Sequence, residues 1–213
     1  MRSRDGRPRL RHWLASAALL PAALLTAVAL AAGGAAPPQP DPITGQLLVA
    51  APSMGDPRFY HTVILMVRHD SKGALGIVIN RPIGMRPLAD ILEAIGDKEP
   101  GISGEVRVFA GGPVQPELGF IIHSTDYRRP RTLAIDKSVA MTSSRQILID
   151  IAHHKGPKQS IVAFGYAGWG PGQLDGEIEH HDWYTTPEDP KLVFEVDRAG
   201  LWEEAKARRT REL

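Results

Sequence analysis

A glycine-rich stretch near the C-terminus is the first place where residue types suggest chemistry. The segment GYAGWGPGQL, residues 165–174, contains four glycines and follows an apolar run. A glycine-rich turn that enters a helix can present backbone N–H groups to an anion, because the N-terminus of a helix favours negative charge. The candidate ligand or partner residues in this stretch are Trp169, Gly170, Gly172 and Gln173.

The residues after the last glycine favour a structural turn instead. A phosphate-binding loop places Lys and then Ser or Thr after its final glycine, whereas Gly172 is followed by QLD. The last of these residues, Asp175, would repel an anion. We therefore expect a corner in which the glycines adopt unusual backbone angles, Pro171 starts a helix and Trp169 packs on the sheet. An anion site is the alternative.

Two residues of the predicted helix after this corner have a spacing found in metal sites. Glu177 and His181 lie four residues apart and so share one helical face. No third ligand is evident nearby, and such residues on an acidic helix usually form a solvated face. The sequence therefore predicts no metal centre and no cofactor. A metal-dependent hydrolase built on this pair is the alternative.

A polar pair follows one of the predicted buried strands. Asn80 and Arg81 precede Pro82, and a proline holds the residue before it in an extended conformation. An arginine held in this way can form a bidentate pair with a carboxylate. We expect Arg81 to lock an internal acidic side chain such as that of Asp70. A carboxylate ligand or a partner surface at Asn80 and Arg81 is the alternative.

Nucleophilic catalysis has little support in the sequence. Ser53 lacks the first glycine of the G-x-S-x-G elbow, and the chain has no H-E-x-x-H motif. A triad of Ser53 with His61 or His69 and with Asp70 is compatible with the residue types, because triads follow geometry and not chain order. We expect Ser53 to shape a loop and the protein to be non-enzymatic.

Short apolar runs and amphipathic segments must position these residues. Seven runs of four to eight residues are rich in Val, Ile and Phe and are bounded by Gly, Pro, Asn or Asp, which predicts strands. They begin at Leu47, Thr62, Ala74, Glu105, Leu118, Ser160 and Lys191. Helical spacing of apolar residues predicts helices over residues 87–95, 142–154, 173–183 and 199–209. This order indicates a mixed α/β or α+β domain.

The N-terminus has the residue order of an export signal. Five arginines within residues 2–11 precede a stretch from Trp13 to Ala32 that lacks charged side chains and ends in small residues. The sequence predicts a signal peptide or an N-terminal membrane anchor over residues 1–32, because about twenty apolar residues can also span a bilayer. Residues 33–44, rich in Pro, Gly and Ala, are predicted to be a linker, and residues 45–213 the folded domain.

Composition limits the partners and the compartment. The chain has 25 basic and 24 acidic residues and no cysteine, which excludes disulfides and Cys-ligated metals. Removal of the leader would leave 20 basic and 23 acidic residues and a net charge of −3, so nucleic acid is not an expected partner. We expect a periplasmic or inner-membrane-anchored protein, with membrane contact through residues 13–32 if they are uncleaved. A cytoplasmic location is the alternative if the leader is not translated.

Three blocks of the sequence together resemble one protein family. They are LLVAAPSMGDPRFYHTVILMVRHDSKGALGIVINRP, VRVFAGGPVQPELGFIIHS and IVAFGYAGWGPGQLDGEIEHHDW, and they occur in this order within residues 45–202. The chain is similar on these grounds to the YqgE/AlgH family of bacterial proteins. The resemblance implies a single compact domain whose bifurcated β-sheet folds into a pseudo-barrel with helices packed around it.

The resemblance implies less about function than about fold. The family has no established enzymatic activity, and one branch is described as a regulator of transcription linked to alginate production. The chain departs from the family pattern in its leader, and at Asp175 and His180–His181, where a glutamate and small or amide residues are more typical. We expect an exported or tethered domain that binds an unknown protein or small ligand. A cytoplasmic transcriptional regulator with a mis-assigned start is the alternative.

Overall fold

The computed structural model describes residues 43–209, which form ten strands and five helices. The strands are β1 (Leu47–Ala50), β2 (Val63–Asp70), β3 (Gly73–Val78), β4 (Pro82–Pro87), β5 (Glu105–Ala110), β6 (Val114–Ser124), β7 (Leu133–Ala134), β8 (Val139–Thr142), β9 (Ser160–Trp169) and β10 (Trp183–Thr186). The helices are α1 (Leu88–Ala94), α2 (Gln146–Ala152), α3 (Gln173–Glu179), α4 (Pro190–Phe194) and α5 (Leu201–Ala207).

The predicted leader, residues 1–32, and most of the predicted linker lie outside the described residues. Within residues 43–209, no helix is both long enough and apolar enough to cross a membrane.

The strands form one curled, mainly antiparallel sheet that divides at β9. The main path of the sheet runs β10-β1-β2-β3-β9-β6-β8-β7. One edge of β9 pairs with β6. The other edge is shared, because residues 162–164 pair in parallel with β5 while residues 167–169 pair antiparallel with β3. β4 extends the branch that begins with β5. The expected single α+β domain with a bifurcated sheet is confirmed.

Gly165 lies between the two halves of β9 and makes the division possible. Its φ of +75° is a conformation that side chains other than glycine rarely adopt. A Cβ at this position would lie 2.4 Å from the carbonyl oxygen of Gly112, closer than real Cβ atoms approach. The irregularity also changes which face each side chain takes, because Ala163 and Ala167 are buried in different cores. With regular alternation along the strand they would share a face.

Both faces of the sheet are covered. The largest core lies on one face and includes Leu192 and Trp202 from α4 and α5. The opposite face carries two separate cores, one around Leu174 of α3 and the other around Leu92 of α1 and Leu148 of α2. The division of the sheet at β9 thus also divides the core on this face.

The predicted elements agree with the structure except near the C-terminus and at the sheet edges. Six of the seven predicted strands and all four predicted helices are present. The strand predicted from Lys191 is wrong: α4 occupies this segment, because Pro190 is its first residue and the Asp189 side chain accepts a hydrogen bond from the Lys191 N–H at 2.9 Å. The sequence also missed β4, β7, β8 and β10.

Candidate functional site

The glycine-rich stretch forms a corner between β9 and α3. Gly172 precedes the first residue of α3 and has a φ of +70°, so a glycine is favoured there. The helix begins at Gln173, which corrects the expectation that Pro171 starts it. The backbone N–H of Gly170 donates to the side-chain Oε1 of Gln173 at 3.1 Å. This N–H is therefore already satisfied within the corner and is not free to bind an anion.

Glu177 of α3 connects the corner to β10. Its Oε2 accepts hydrogen bonds from the indole N–H groups of Trp169 and Trp183, each at 2.9 Å. Its Oε1 accepts one from the side-chain amide of Gln173, also at 2.9 Å. Three donors around one carboxylate hold the two tryptophans and the helix in a fixed arrangement.

The hydrogen bonds to Glu177 do not favour the hypothesis that Glu177 and His181 bind a metal ion. Both carboxylate oxygens of Glu177 are engaged by donors, and His181 is exposed, with a φ of +60°, beyond the last residue of α3. Residues 43–209 contain no group of three or more His, Asp or Glu side chains placed to hold a metal ion. Among these described residues, the fold brings no third metal-ligating side chain to Glu177 and His181.

Three aromatic rings pack together beside the corner. Phe59, in the loop between β1 and β2, stacks on Trp169 with ring centroids 6.5 Å apart. It meets Trp183 edge-on at 5.4 Å, and the two tryptophans also meet edge-on at 6.1 Å. Such stacked and perpendicular arrangements are the favourable geometries of aromatic pairs. The cluster fixes the loop before β2 against the ends of β9 and β10.

A charged pair stands at the edge of this aromatic cluster. Arg58 donates to both carboxylate oxygens of Asp56, at 2.6 Å for the shortest contact. The side-chain and backbone hydrogen bonds from Arg58 lower the pKa of Asp56 below its ordinary value, so the carboxylate is ionised at neutral pH. The guanidinium of Arg58 also lies 5.8 Å from the centre of the Phe59 ring.

Together these groups surround a pocket of about 330 Å³, which we call the corner pocket. Its walls come from the loop after β1, the start of β6, the end of β9, α3 and the start of β10. The lining residues are Met54, Gly55, Asp56, Arg58, Phe59, Pro113, Val114, Gly168, Trp169, Gln173, Glu177, Asp182 and Trp183. All three sequence blocks that carry the family resemblance contribute to it.

Asn80 and Arg81 follow β3 and contact residues at the start of β2 and in the loop before it. The Asn80 side chain accepts a hydrogen bond from the Val63 N–H at 2.9 Å and donates to the His61 carbonyl at 2.8 Å, so it ties the end of β3 to the start of β2. Arg81 donates to the Tyr60 carbonyl at 3.1 Å. Asn80 therefore has a structural role that positions Arg81.

The expected pairing of Arg81 with Asp70 is wrong. Asp70 lies at the tip of the β2–β3 hairpin, where its carboxylate accepts the Lys72 N–H at 2.8 Å and lies 3.6 Å from Arg68. Arg81 instead lines a second pocket of about 220 Å³, which we call the arginine pocket. This pocket shares Arg58, Phe59 and Pro113 with the corner pocket.

The residues of the hypothetical triad are engaged elsewhere. His69 is buried, and its Nε2 lies 3.1 Å from Oδ1 of Asp175, close enough for an ion pair but not aligned for a hydrogen bond. His61 stacks between Tyr60 and Trp202, with ring centroids 3.9 and 3.8 Å away. Asp70 belongs to the hairpin turn described above, so the structure does not assemble the triad.

One further pair of carboxyl groups lies outside both pockets. The Ser138 hydroxyl lies 3.0 Å from a carboxyl oxygen of Asp136 and 3.0 Å from one of Glu188. Burial raises the pKa of Glu188 to about 7, together with a hydrogen bond to the Asp136 side chain and the negative charge of Asp136. Burial opposes ionisation of Asp136, but backbone hydrogen bonds from Ser138 and Val139 still hold its pKa below the ordinary value. A proton is therefore held on Glu188 in mildly acidic solution.

The structure brings the sequence-predicted residues together at two adjoining pockets. Trp169 and Gln173 line the corner pocket, Gly170 and Gly172 form the turn beside it, and Arg81 lines the arginine pocket. The sequence reasoning missed Phe59, Trp183 and the Asp56–Arg58 pair. The signal was present as a cluster of charged and aromatic residues, DPRFY, in a loop that directly follows a buried strand.

Comparison with known proteins places the chain in a family. A family model described as DUF179, AlgH-like, matches residues 47–212. The chain is 47% identical over 154 residues to a UPF0301 protein of Rhodospirillum rubrum, covering 72% of this chain and 80% of that one. It is 43% identical over 162 residues to a UPF0301 protein of Methylococcus capsulatus, covering 76% and 88% respectively.

Solved structures share the fold. The solution structure of the AlgH protein from Pseudomonas aeruginosa matches with a TM-score of 0.69 and 36% identity, over 82% of this chain and 92% of that one. A crystal structure of the protein DIP2367 from Corynebacterium diphtheriae matches with a TM-score of 0.58 at 23% identity, covering 78% and 86%, and supports the fold alone. Sequence blocks, bifurcated sheet and comparisons agree, and the chain belongs to the AlgH-like family.

Proposed function

We propose that this protein is a non-enzymatic binding domain whose ligand occupies the corner pocket. The observation that carries the proposal is that three sequence blocks, far apart along the chain, meet around this one pocket. The first and third blocks send polar and aromatic side chains to this surface, and the second block contributes Pro113 and Val114.

The size and make-up of the pocket support a small ligand or a short segment of a partner. A volume of about 330 Å³ lies at the lower end of the range typical of ligand sites. The half-buried aromatic ring of Phe59 combines there with the charged groups of Asp56, Arg58 and Asp182. Rigid aromatic walls with a few polar groups are the usual composition of such sites, because the walls bury the ligand and the polar groups orient it.

The state of the polar groups supports binding in preference to catalysis. A general base needs an oxygen or nitrogen free to accept a proton from the substrate. Glu177 instead accepts three hydrogen bonds from the protein, and Asp56 is held by Arg58. Two of the three carboxylates that line the pocket therefore serve to fix neighbouring side chains. The third, Asp182, has no Ser, Thr, Lys or His side chain beside it among the described residues that line the pocket.

We further propose that the domain is exported or membrane-tethered. Five N-terminal arginines and the uncharged stretch from Trp13 to Ala32 that ends in small residues support this location. Cell fractionation followed by mass determination of the full-length gene product tests it. A cytosolic protein that lacks the leader would contradict it.

The indole N–H groups of the tryptophans provide a direct test of the binding proposal. In a two-dimensional ¹⁵N–¹H NMR spectrum of the protein, Trp169 and Trp183 report on the corner pocket. Trp202, whose indole donates to the Ala50 carbonyl at 2.8 Å in the large core, is the internal control. A panel of amino acids, short peptides and sugars should include a compound that shifts the first two signals and leaves the third in place.

The variant Trp169→Phe assigns the Trp169 indole signal, because that signal is missing from its spectrum. The variant also lacks one of the two indole hydrogen bonds to Glu177. Binding of the same compound should weaken in this variant, while Trp202→Phe should not change the affinity. If no compound moves the Trp169 and Trp183 signals, or if every compound that does so moves Trp202 equally, the corner pocket is not a ligand site.

A further inference from the structure

The arginine pocket is a basic recess with an apolar floor. Two arginines, Arg58 and Arg81, line it, and its other lining residues are uncharged: Phe59, Val78, Ala110, Gly112 and Pro113. Among the residues that the structure describes, no acidic side chain lines this pocket. A recess of this kind suits a ligand group that is both negatively charged and attached to an apolar body.

The two arginines differ in how far their charge is already neutralised. Arg58 forms a two-point pair with Asp56, with the shortest contact at 2.6 Å. Within residues 43–209, no carboxylate lies within the 4.0 Å ion-pair distance of Arg81. The hydrogen bond of Arg81 is to the neutral Tyr60 carbonyl, which uses one of its five N–H donors. Arg81 therefore holds an uncompensated charge and several donors at the pocket.

The surrounding backbone orients Arg81 before any ligand arrives. Asn80 binds both Val63 and His61, and Pro82 begins β4 directly after Arg81. The bond to the Tyr60 carbonyl fixes one end of the guanidinium. A donor group held in place in this way loses less conformational entropy when it binds.

The arginine pocket is part of a larger groove. Its volume of about 220 Å³ is below the range of independent ligand sites. It shares Phe59, Arg58 and Pro113 with the corner pocket, so the two recesses adjoin at these three residues. One ligand can therefore occupy both.

We propose that Arg81 binds the carboxylate of the ligand, and that this carboxylate is attached to an apolar group seated against Phe59 and Pro113. The inference rests on the proposed function of the corner pocket and adds the chemical class of the ligand. Two sources have this chemistry: the free C-terminal residue of a peptide, and a small apolar acid. An arginine recognises both through two parallel N–H···O bonds.

Matched probes separate the carboxylate from the apolar body. N-acetyl-leucine and its carboxamide differ only in the terminal group, which is a charged carboxylate in the first and a neutral amide in the second. Isothermal titration calorimetry and NMR titrations of the full chain should show that the acid binds at least about tenfold more tightly than the amide. A short peptide ending in leucine should bind more tightly than N-acetyl-leucine if the source is a peptide, and no better if it is a small acid.

Three arginine variants locate the interaction. Arg81→Gln should abolish the preference for the acid, while Arg81→Lys should keep a weaker preference, because an ammonium supplies charge but not the two-point geometry. Arg86→Gln is the matched control: Arg86, which is exposed, likewise donates to one backbone carbonyl, that of Met85, but it lies outside the pocket. Arg86→Gln should bind both probes as the wild type does. Thermal unfolding of each variant checks that the fold is unchanged.

The outcomes distinguish this inference from the proposed function. Equal affinity for acid and amide, an equal loss in Arg86→Gln and Arg81→Gln, or no saturable binding of either probe at millimolar concentration would overturn the role of Arg81. If other compounds then still move the Trp169 and Trp183 signals, the corner pocket stands as a binding site for ligands of different chemistry. If none does, both fail.

Discussion

The indole N–H of Trp169 donates to Oε2 of Glu177 at 2.9 Å, and this bond joins the last residue of β9 to the middle of α3. The same oxygen also accepts the indole of Trp183. The shape of the corner pocket therefore depends on one carboxylate that is not itself free to react.

Replacing Glu177 with Gln should destabilise the protein by about 1–3 kcal/mol. A glutamine has one acceptor oxygen, so its NH₂ group must face at least one of the donors that the carboxylate now accepts. Urea unfolding measures the change. Glu179→Gln on the exposed side of the same helix is the control and should unfold like the wild type. Equal stability of the two variants would contradict the role assigned to Glu177.

Replacing Gly165 with Ala should lower the free energy of unfolding by about 2–4 kcal/mol. The added Cβ would meet the Gly112 carbonyl at 2.4 Å and would sit on a backbone with a φ of +75°. Gly176→Ala is the matched control: no atom lies within 4 Å of a Cβ there, and an alanine inside α3 should stabilise by about 0.5–1 kcal/mol. A mild effect at Gly165 would mean that the fork in the sheet tolerates a side chain.

Replacing Gly172 with Val tests the corner itself. A Cβ at this position meets no atom within 4 Å, so the only penalty is the φ of +70°, about 1–2 kcal/mol. Thermal unfolding should show this loss, and ligand binding in the corner pocket should survive. Unchanged stability together with lost binding would instead indicate that the backbone at Gly172 contacts the ligand.

Stability should fall as the pH rises through neutrality because of Glu188. Burial and Asp136 raise the pKa of Glu188 from 4.5 to about 7, so the folded state holds a proton that the unfolded state has released. The stabilising contribution is complete below about pH 4.5 and is lost as the pH rises through about 7. Chemical unfolding between pH 5 and pH 8 measures it.

Glu188→Gln removes the titrating group and should remove this part of the pH dependence. Glu179→Gln should retain the wild-type profile. A stability difference between the wild type and Glu188→Gln that does not change between pH 5 and pH 8 would show that Glu188 is already ionised in the folded state over this range.

Periodicity predicted most of the central sheet and helices, since these segments have the apolar patterns that burial requires. Periodicity gave the wrong element, or none, where turn and capping residues or prolines decide the local structure. The segment from Lys191 has the composition of a strand, but Asp189 and Pro190 give it the start of a helix. β4 contains two prolines and is mainly exposed, so it lacks the apolar signature of a strand and forms because β5 offers an edge.

The sequence predicted those residues of the candidate site that are close together in the chain, but not those that come from distant segments. Trp169, Gln173 and Glu177 lie close together in the chain, so one glycine-rich motif drew attention to all of them. Phe59 and Trp183 reach the pocket from other segments and meet Trp169 only through the fold. The pairing of Arg81 could not be predicted, because Asp70 is carried to the far end of the β2–β3 hairpin.

The shared edge of β9 also constrains when the protein can fold. β3, β5 and β6 all precede β9 in the chain and all take it as a partner. During synthesis, one edge of each of these strands therefore remains unpaired until residue 169 has left the ribosome. The contacts that β9 then forms join residues that are distant in sequence. We expect slow, late acquisition of structure, and a need to protect the nascent chain from aggregation during that delay.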